Sequence, residues 1–99
     1  MPAHIPINHH VIATFCRKWH VAELGLFGSV LRDDFRSDSD VDVLVTFEPD
    51  AGLGLFEFVR MGRELSEILG RHVDLVERAG LKPALRQEIL ATTELLYAA

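Results

Sequence analysis

Leu26-Phe27-Gly28-Ser29, ten further residues, then Asp40-Val41-Asp42-Val43-Leu44-Val45-Thr46-Phe47: the fold is decided in this stretch. From residue 41 the side chains alternate. Val41, Val43 and Val45 fall on one side, Asp40, Asp42 and Leu44 on the other, which predicts a strand over Val41 to Phe47. Upstream, Ala22 to Phe27 reads as a short strand with Leu24 and Leu26 on one face. Gly28-Ser29 ends it abruptly. Val30 to Asp34 is expected to form one helical turn, and Ser37 to Ser39 a polar loop.

Helices flank this pair of strands. Asn8 is a good cap, and Val11, Ile12, Phe15, Cys16 and Trp19 recur at helical spacing, so residues 8 to 19 form an amphipathic helix. Beyond the Glu48-Pro49-Asp50-Ala51-Gly52 loop, a second helix is predicted from about Leu53 to Leu69. Its buried stripe is Phe58, Met61, Leu65, Ile68 and Leu69, with Arg60/Glu64 and Arg63/Glu67 as i,i+4 pairs on the wet side. Gly70 is its stop signal. His72 to Glu77 reads as a third strand, and Pro83 opens a third helix through roughly Leu90. The tail to Tyr97 fits neither pattern decisively. The order α-β-turn-β-α-β-α implies an α/β fold, a small mixed β-sheet with helices packed on it.

The chemistry lies in the carboxylates. Alternate strand positions put Asp40 and Asp42 on one face, about 6.6 Å apart along the backbone. From there they can converge on one or two hard cations, with magnesium favoured where phosphate oxygens complete the shell. A lone Asp-x-Asp is equally compatible with a solvated acidic loop running into a strand. Asp74 weighs against that, because it interrupts an apolar strand between Val73 and Leu75, where an unpaired carboxylate is costly. It is either an edge residue facing water or, if its strand lies beside 41–47, a third ligand. Gly28-Ser29 reads as a structural turn or as a phosphate cradle, with glycine allowing close backbone approach and the serine hydroxyl and following amides donating. Arg32, one turn later, either meets a phosphate or stays solvated.

Taken together, Leu26-Phe27-Gly28-Ser29-Val30-Leu31-Arg32 and Ser37-Asp38-Ser39-Asp40-Val41-Asp42-Val43-Leu44-Val45 resemble the nucleotidyltransferase superfamily related to DNA polymerase beta. Length and order look most like its minimal, MNT-type members, which are often paired with HEPN toxins. The resemblance implies the nucleotidyltransferase fold, with Asp40, Asp42 and Asp74 as catalytic carboxylates and metal ligands and Gly28, Ser29 and Arg32 at the triphosphate. It implies two Mg2+ ions, ATP as substrate, and transfer of AMP to a tyrosine of a HEPN ribonuclease toxin, which makes the chain an antitoxin. Alternatives are a non-catalytic antitoxin that masks its toxin, or a nucleotide-binding subunit of a larger transferase. The chain departs from the family in one place: Arg32 is followed by Asp33 where Arg-Gly is common, which adds a negative charge near the phosphate path.

Bulk properties agree. With 99 residues, 48% of them apolar, the chain is expected to form one domain over 1–99 with one core. The net charge is −5, and between Asp33 and Asp50 seven acids face a single base, Arg36. Such a surface repels bare polyanions, so no direct nucleic-acid partner is expected. The lone Cys16 excludes a disulfide framework and fits a reducing cytoplasm. Neither a signal peptide nor a membrane-spanning run is recognisable, so no membrane partner is expected, while a homo-oligomer is compatible with the sequence. His4, His9, His10 and His20 form no metal-binding spacing and read as a solvated helix end. Cys16, Phe15 and Trp19 are assigned to the core.

Overall fold

The computed structural model describes residues 5–33, 35–36 and 38–99. The elements in chain order are α1 (His9–Lys18), β1 (Val21–Phe27), a 3-10 turn (Gly28–Leu31), β2 (Val41–Phe47), α2 (Leu55–Leu69), β3 (Val73–Glu77), a second 3-10 turn (Arg78–Gly80), α3 (Pro83–Thr92) and β4 (Glu94–Ala98). The four strands form one mixed sheet in the order β3-β2-β1-β4. β1 is antiparallel to both β2 and β4, and β2 is parallel to β3, with α2 as the crossover.

Local chemistry explains the boundaries. The Asn8 side chain accepts from the amides of His10 and Val11, capping α1. His20, at a left-handed φ of 58°, turns the chain out of α1, and its carbonyl accepts from the Glu48 amide. Gly54 precedes α2, with the Glu57 carboxylate reaching back to the Gly54 amide at 2.8 Å. The helix therefore begins at Leu55 rather than at the expected Leu53, which instead packs on the core from the preceding loop. Gly70 ends α2 at a left-handed φ of 70°, and Pro83 opens α3.

One face of the sheet holds the core. Leu24, Leu26, Val41, Val43 and Val45 are fully buried against Ile12, Phe15 and Cys16 of α1 and Met61 and Leu65 of α2. Burial pushes the Cys16 thiol up to about 12, the behaviour of an inert core residue. Phe58 and Ile68 are only half-buried, packed against the core from its margin. Glu64, expected to pair with Arg60 on the wet side, instead binds α1: its Oε1 accepts from Lys18 Nζ at 2.7 Å and Trp19 Nε1 at 3.3 Å.

The other face is covered sparsely. α3 contributes no buried residue, and a pocket of about 200 Å³ separates its Leu90 from Gly25, Leu44 and Thr46 of the sheet. Strand alternation puts Asp42 and Asp74 on this more open face. The tail that sequence left undecided is β4, a fourth strand paired with β1 through an irregular register at Leu24/Gly25.

Candidate active site

β1 delivers the chain to Gly28, which adopts φ 76°, a conformation glycine takes without strain. The turn begins here and spans Gly28–Leu31, earlier than the Val30 to Asp34 turn expected from sequence, and by Arg32 the backbone is extended again. Asp34 and Ser37 lie outside the described residues. The remainder of the acidic loop is organised locally: Ser39 Oγ accepts from the Arg36 amide at 3.3 Å, and Arg71 donates to the Arg36 carbonyl at 3.2 Å. The Arg71 guanidinium also stacks over the Phe35 ring at 4.7 Å.

Register brings the candidate residues together. Phe27, the residue before Gly28, pairs with Asp42 across β1 and β2. Asp42 in turn stands level with Asp74 across the parallel β2–β3 pair. The Asp42 carboxylate lies against the Gly28 turn, since a Cβ built on Gly28 would fall 2.5 Å from Asp42 Oδ2. Asp42 is half-buried, while Asp40 and Asp74 are exposed. The Asp42 pKa is raised above its ordinary value by burial first, then by the charges of Asp74 and Asp40, with Arg32 pulling it back. Five of the six residues singled out from sequence (Gly28, Arg32, Asp40, Asp42 and Asp74) are thus connected by register, contact or field. Ser29, half-buried, follows Gly28 in the same turn.

His72 escaped the sequence reading. Its Nδ1 lies 3.4 Å from Asp40 Oδ1, and its carbonyl accepts from the Val41 amide at 2.9 Å. The signal for it was positional: the residue before β3 is level with the residue before β2 once Val41 pairs with Val73. Among the described residues, no three His, Cys, Asp or Glu side chains stand close enough to hold a metal ion as they are. The three aspartates are neighbours through register and charge, with carboxylates of hard-donor type. They also lie away from a concavity of about 890 Å³ lined by Phe47, Leu53, Phe58 and Arg86 at the far end of β2. Two of the three carboxylates, Asp40 and Asp74, are exposed to solvent.

The nucleotidyltransferase domain family model matches residues 10–96. Among curated relatives, the protein adenylyltransferase MntA of Thermococcus cleftensis is 38% identical over 73 residues, covering 74% of this chain and 72% of that protein. A solved structure described as a minimal nucleotidyltransferase superposes with a TM-score of 0.73 at 35% identity, covering 87% of this chain and 86% of that one. A chain from a toxin–antitoxin complex with AMP-PNP has a TM-score of 0.75 at 22% identity, covering 94% of this chain and 75% of that one, a likeness of fold.

Proposed function

The chain belongs to the nucleotidyltransferase domain family, and from that membership we propose its reaction: transfer of AMP from ATP to a tyrosine hydroxyl of a HEPN ribonuclease toxin, for which it is the antitoxin. One observation carries this reading, the register that sets Asp42 level with Asp74 and against the bare Gly28 turn. Relatives named protein adenylyltransferases support the enzyme class.

The residues divide the work by position. Gly28 lets phosphate oxygens approach the main chain, where the Ser29 hydroxyl and the amides of the turn are donors. Arg32, whose charge already reaches Asp42, adds a cation on the phosphate side. Asp40, Asp42 and Asp74 suit a hard divalent cation in kind, because all offer carboxylate oxygen and their mutual repulsion is what a cation offsets. Magnesium held there supplies charge neutralisation to the triphosphate and to the departing pyrophosphate. The acceptor oxygen attacks the α-phosphorus, the bond from that phosphorus to the pyrophosphate oxygen breaks, and pyrophosphate leaves. Asp74, the exposed member of the pair, takes the hydroxyl proton.

A masking antitoxin is the second reading, favoured by the exposure of Leu55 (75%) and Phe56 (82%) on α2, which suits a docking surface. Incubation of the chain with ATP, magnesium and the HEPN protein separates the two. Catalysis leaves one or more adenylates on the partner, whereas masking leaves its mass unchanged. No helix among the described residues is long and apolar enough to cross a membrane, which is consistent with a reaction in the cytoplasm, where ATP is abundant.

A further inference from the structure

β3 is an edge strand, bonded to β2 alone. In a parallel ladder, alternate residues turn their backbone groups toward a given neighbour. The His72 carbonyl accepts from the Val41 amide, which directs His72, Asp74 and Val76 toward β2 and Val73, Leu75 and Glu77 toward the rim. Ser66 Oγ, from α2, takes the Val73 amide at 3.0 Å. Further along, the outward groups of Leu75 and the Glu77 amide form the rim.

A groove of about 630 Å³ runs along this rim between α2 and β3, lined by Val59, Gly62, Ser66, Val73 and Leu75 among others. Gly62 is mid-helix, where glycine is a poor helix former. A Cβ added there would meet nothing within 4 Å. Packing within the chain therefore does not call for glycine at 62, and its bareness keeps the helix backbone open to close approach. Val59, one turn earlier, is 47% exposed.

We propose that this rim and groove receive an extended segment of the acceptor protein, added as a fifth strand beside β3. Residues opposite one another on paired strands share a face, their Cβ atoms about 5 Å apart. The segment residue level with Leu75 enters the groove at Gly62, where a small apolar side chain fits. Its neighbour, level with Asp74, falls on the open face beside Asp74, two strands from Asp42, and carries the hydroxyl. Asp74 stands beside that position, with Asp42 one strand further in at the same level, so the segment is free of acidic residues there. The identity of the hydroxyl rests on the adenylyl-transfer reading; the strand addition does not.

The test uses the full chain with its HEPN partner. In the complex, amide exchange at Leu75 and Glu77 is expected to slow by about tenfold or more relative to the free chain. Gly62→Trp fills the groove and is expected to cut AMP transfer by about tenfold while leaving ATP-analogue affinity within about twofold, and Gly62→Ala should stay near wild type. Unchanged exchange at Leu75 and Glu77 in the saturated complex overturns strand addition, as does transfer by a folded Gly62→Trp chain at the wild-type rate. Equal protection in the chain alone at high concentration also overturns it, assigning the rim to a second copy. If the wild type transfers no AMP, the adenylyl-transfer reading fails and the exchange measurement still decides the docking.

Discussion

Gly28 and Asp42 are mutually dependent: the Asp42 carboxylate occupies the space a Cβ at Gly28 would need, 2.5 Å from Oδ2. The turn proposed to receive phosphate and the carboxylate packed against it are therefore one unit. Gly28→Ala meets two penalties. A left-handed φ costs an L-residue about 1–2 kcal/mol, and the new methyl displaces Asp42. Denaturant unfolding should show the stability loss, and calorimetry with magnesium and a non-hydrolysable ATP analogue should show weakened binding. Undiminished binding in the folded variant would reduce the turn to a structural feature.

Ser29→Ala is milder. It removes one hydroxyl donor, worth about 0.5–1.5 kcal/mol and more toward a charged phosphate, without altering the turn. The same calorimetry should register a smaller loss than for the glycine variant, with the unfolding midpoint near wild type.

The Asp42 pKa sets a pH dependence of known sign. Its folded value is raised by burial and by Asp74 and Asp40. A group raised in this way contributes stability that is fully present below its unfolded pKa and lost as pH rises through the folded value. At neutral pH the ionised Asp42 is thus a strain on the fold. Asp42→Asn should unfold at a higher denaturant concentration than wild type at pH 7, and the difference should vanish below the ordinary value of 3.8. Magnesium should raise the wild-type midpoint at pH 7 and leave the Asn variant unmoved.

Much of this arrangement was legible in the sequence. The Val41/Val43/Val45 alternation, the Gly70 stop and the Pro83 start are local signals, and local physics decides them. The nearness of Gly28, Asp42 and Asp74 was readable because alternation and a glycine turn constrain where side chains go. What escaped was non-local. Glu-Leu-Leu-Tyr-Ala over 94–98 carries no clean alternation, and its pairing with β1 passes through an irregularity that only the partner strand reveals. The His72–Asp40 contact depends on the β2–β3 register. Glu64 looked like a helix-surface partner of Arg60 until α1 brought Lys18 and Trp19 to it.

That last interaction is measurable. Glu64→Ala strands the indole N–H of Trp19, a residue only 8% exposed, and removes the Lys18 partner. A loss of about 1–3 kcal/mol is expected in urea unfolding, from the unsatisfied donor more than from the ion pair. Raising salt should close little of the gap, because screening acts on the exposed pair alone.

Adenylyl transfer through the Asp40/Asp42/Asp74 group is tested most directly by the mass of the HEPN partner after incubation with ATP and magnesium. The Asp40→Asn/Asp42→Asn chain keeps side-chain volume but loses two carboxylates on the open face, so it should fold and still bind the partner. Wild type should add one or more adenylates to tyrosine and leave the partner inactive after the antitoxin is removed, whereas the double variant should add none and fail to protect. A partner of unchanged mass with wild type, or equal protection by the double variant at equal expression, would contradict catalysis and leave masking as the mechanism.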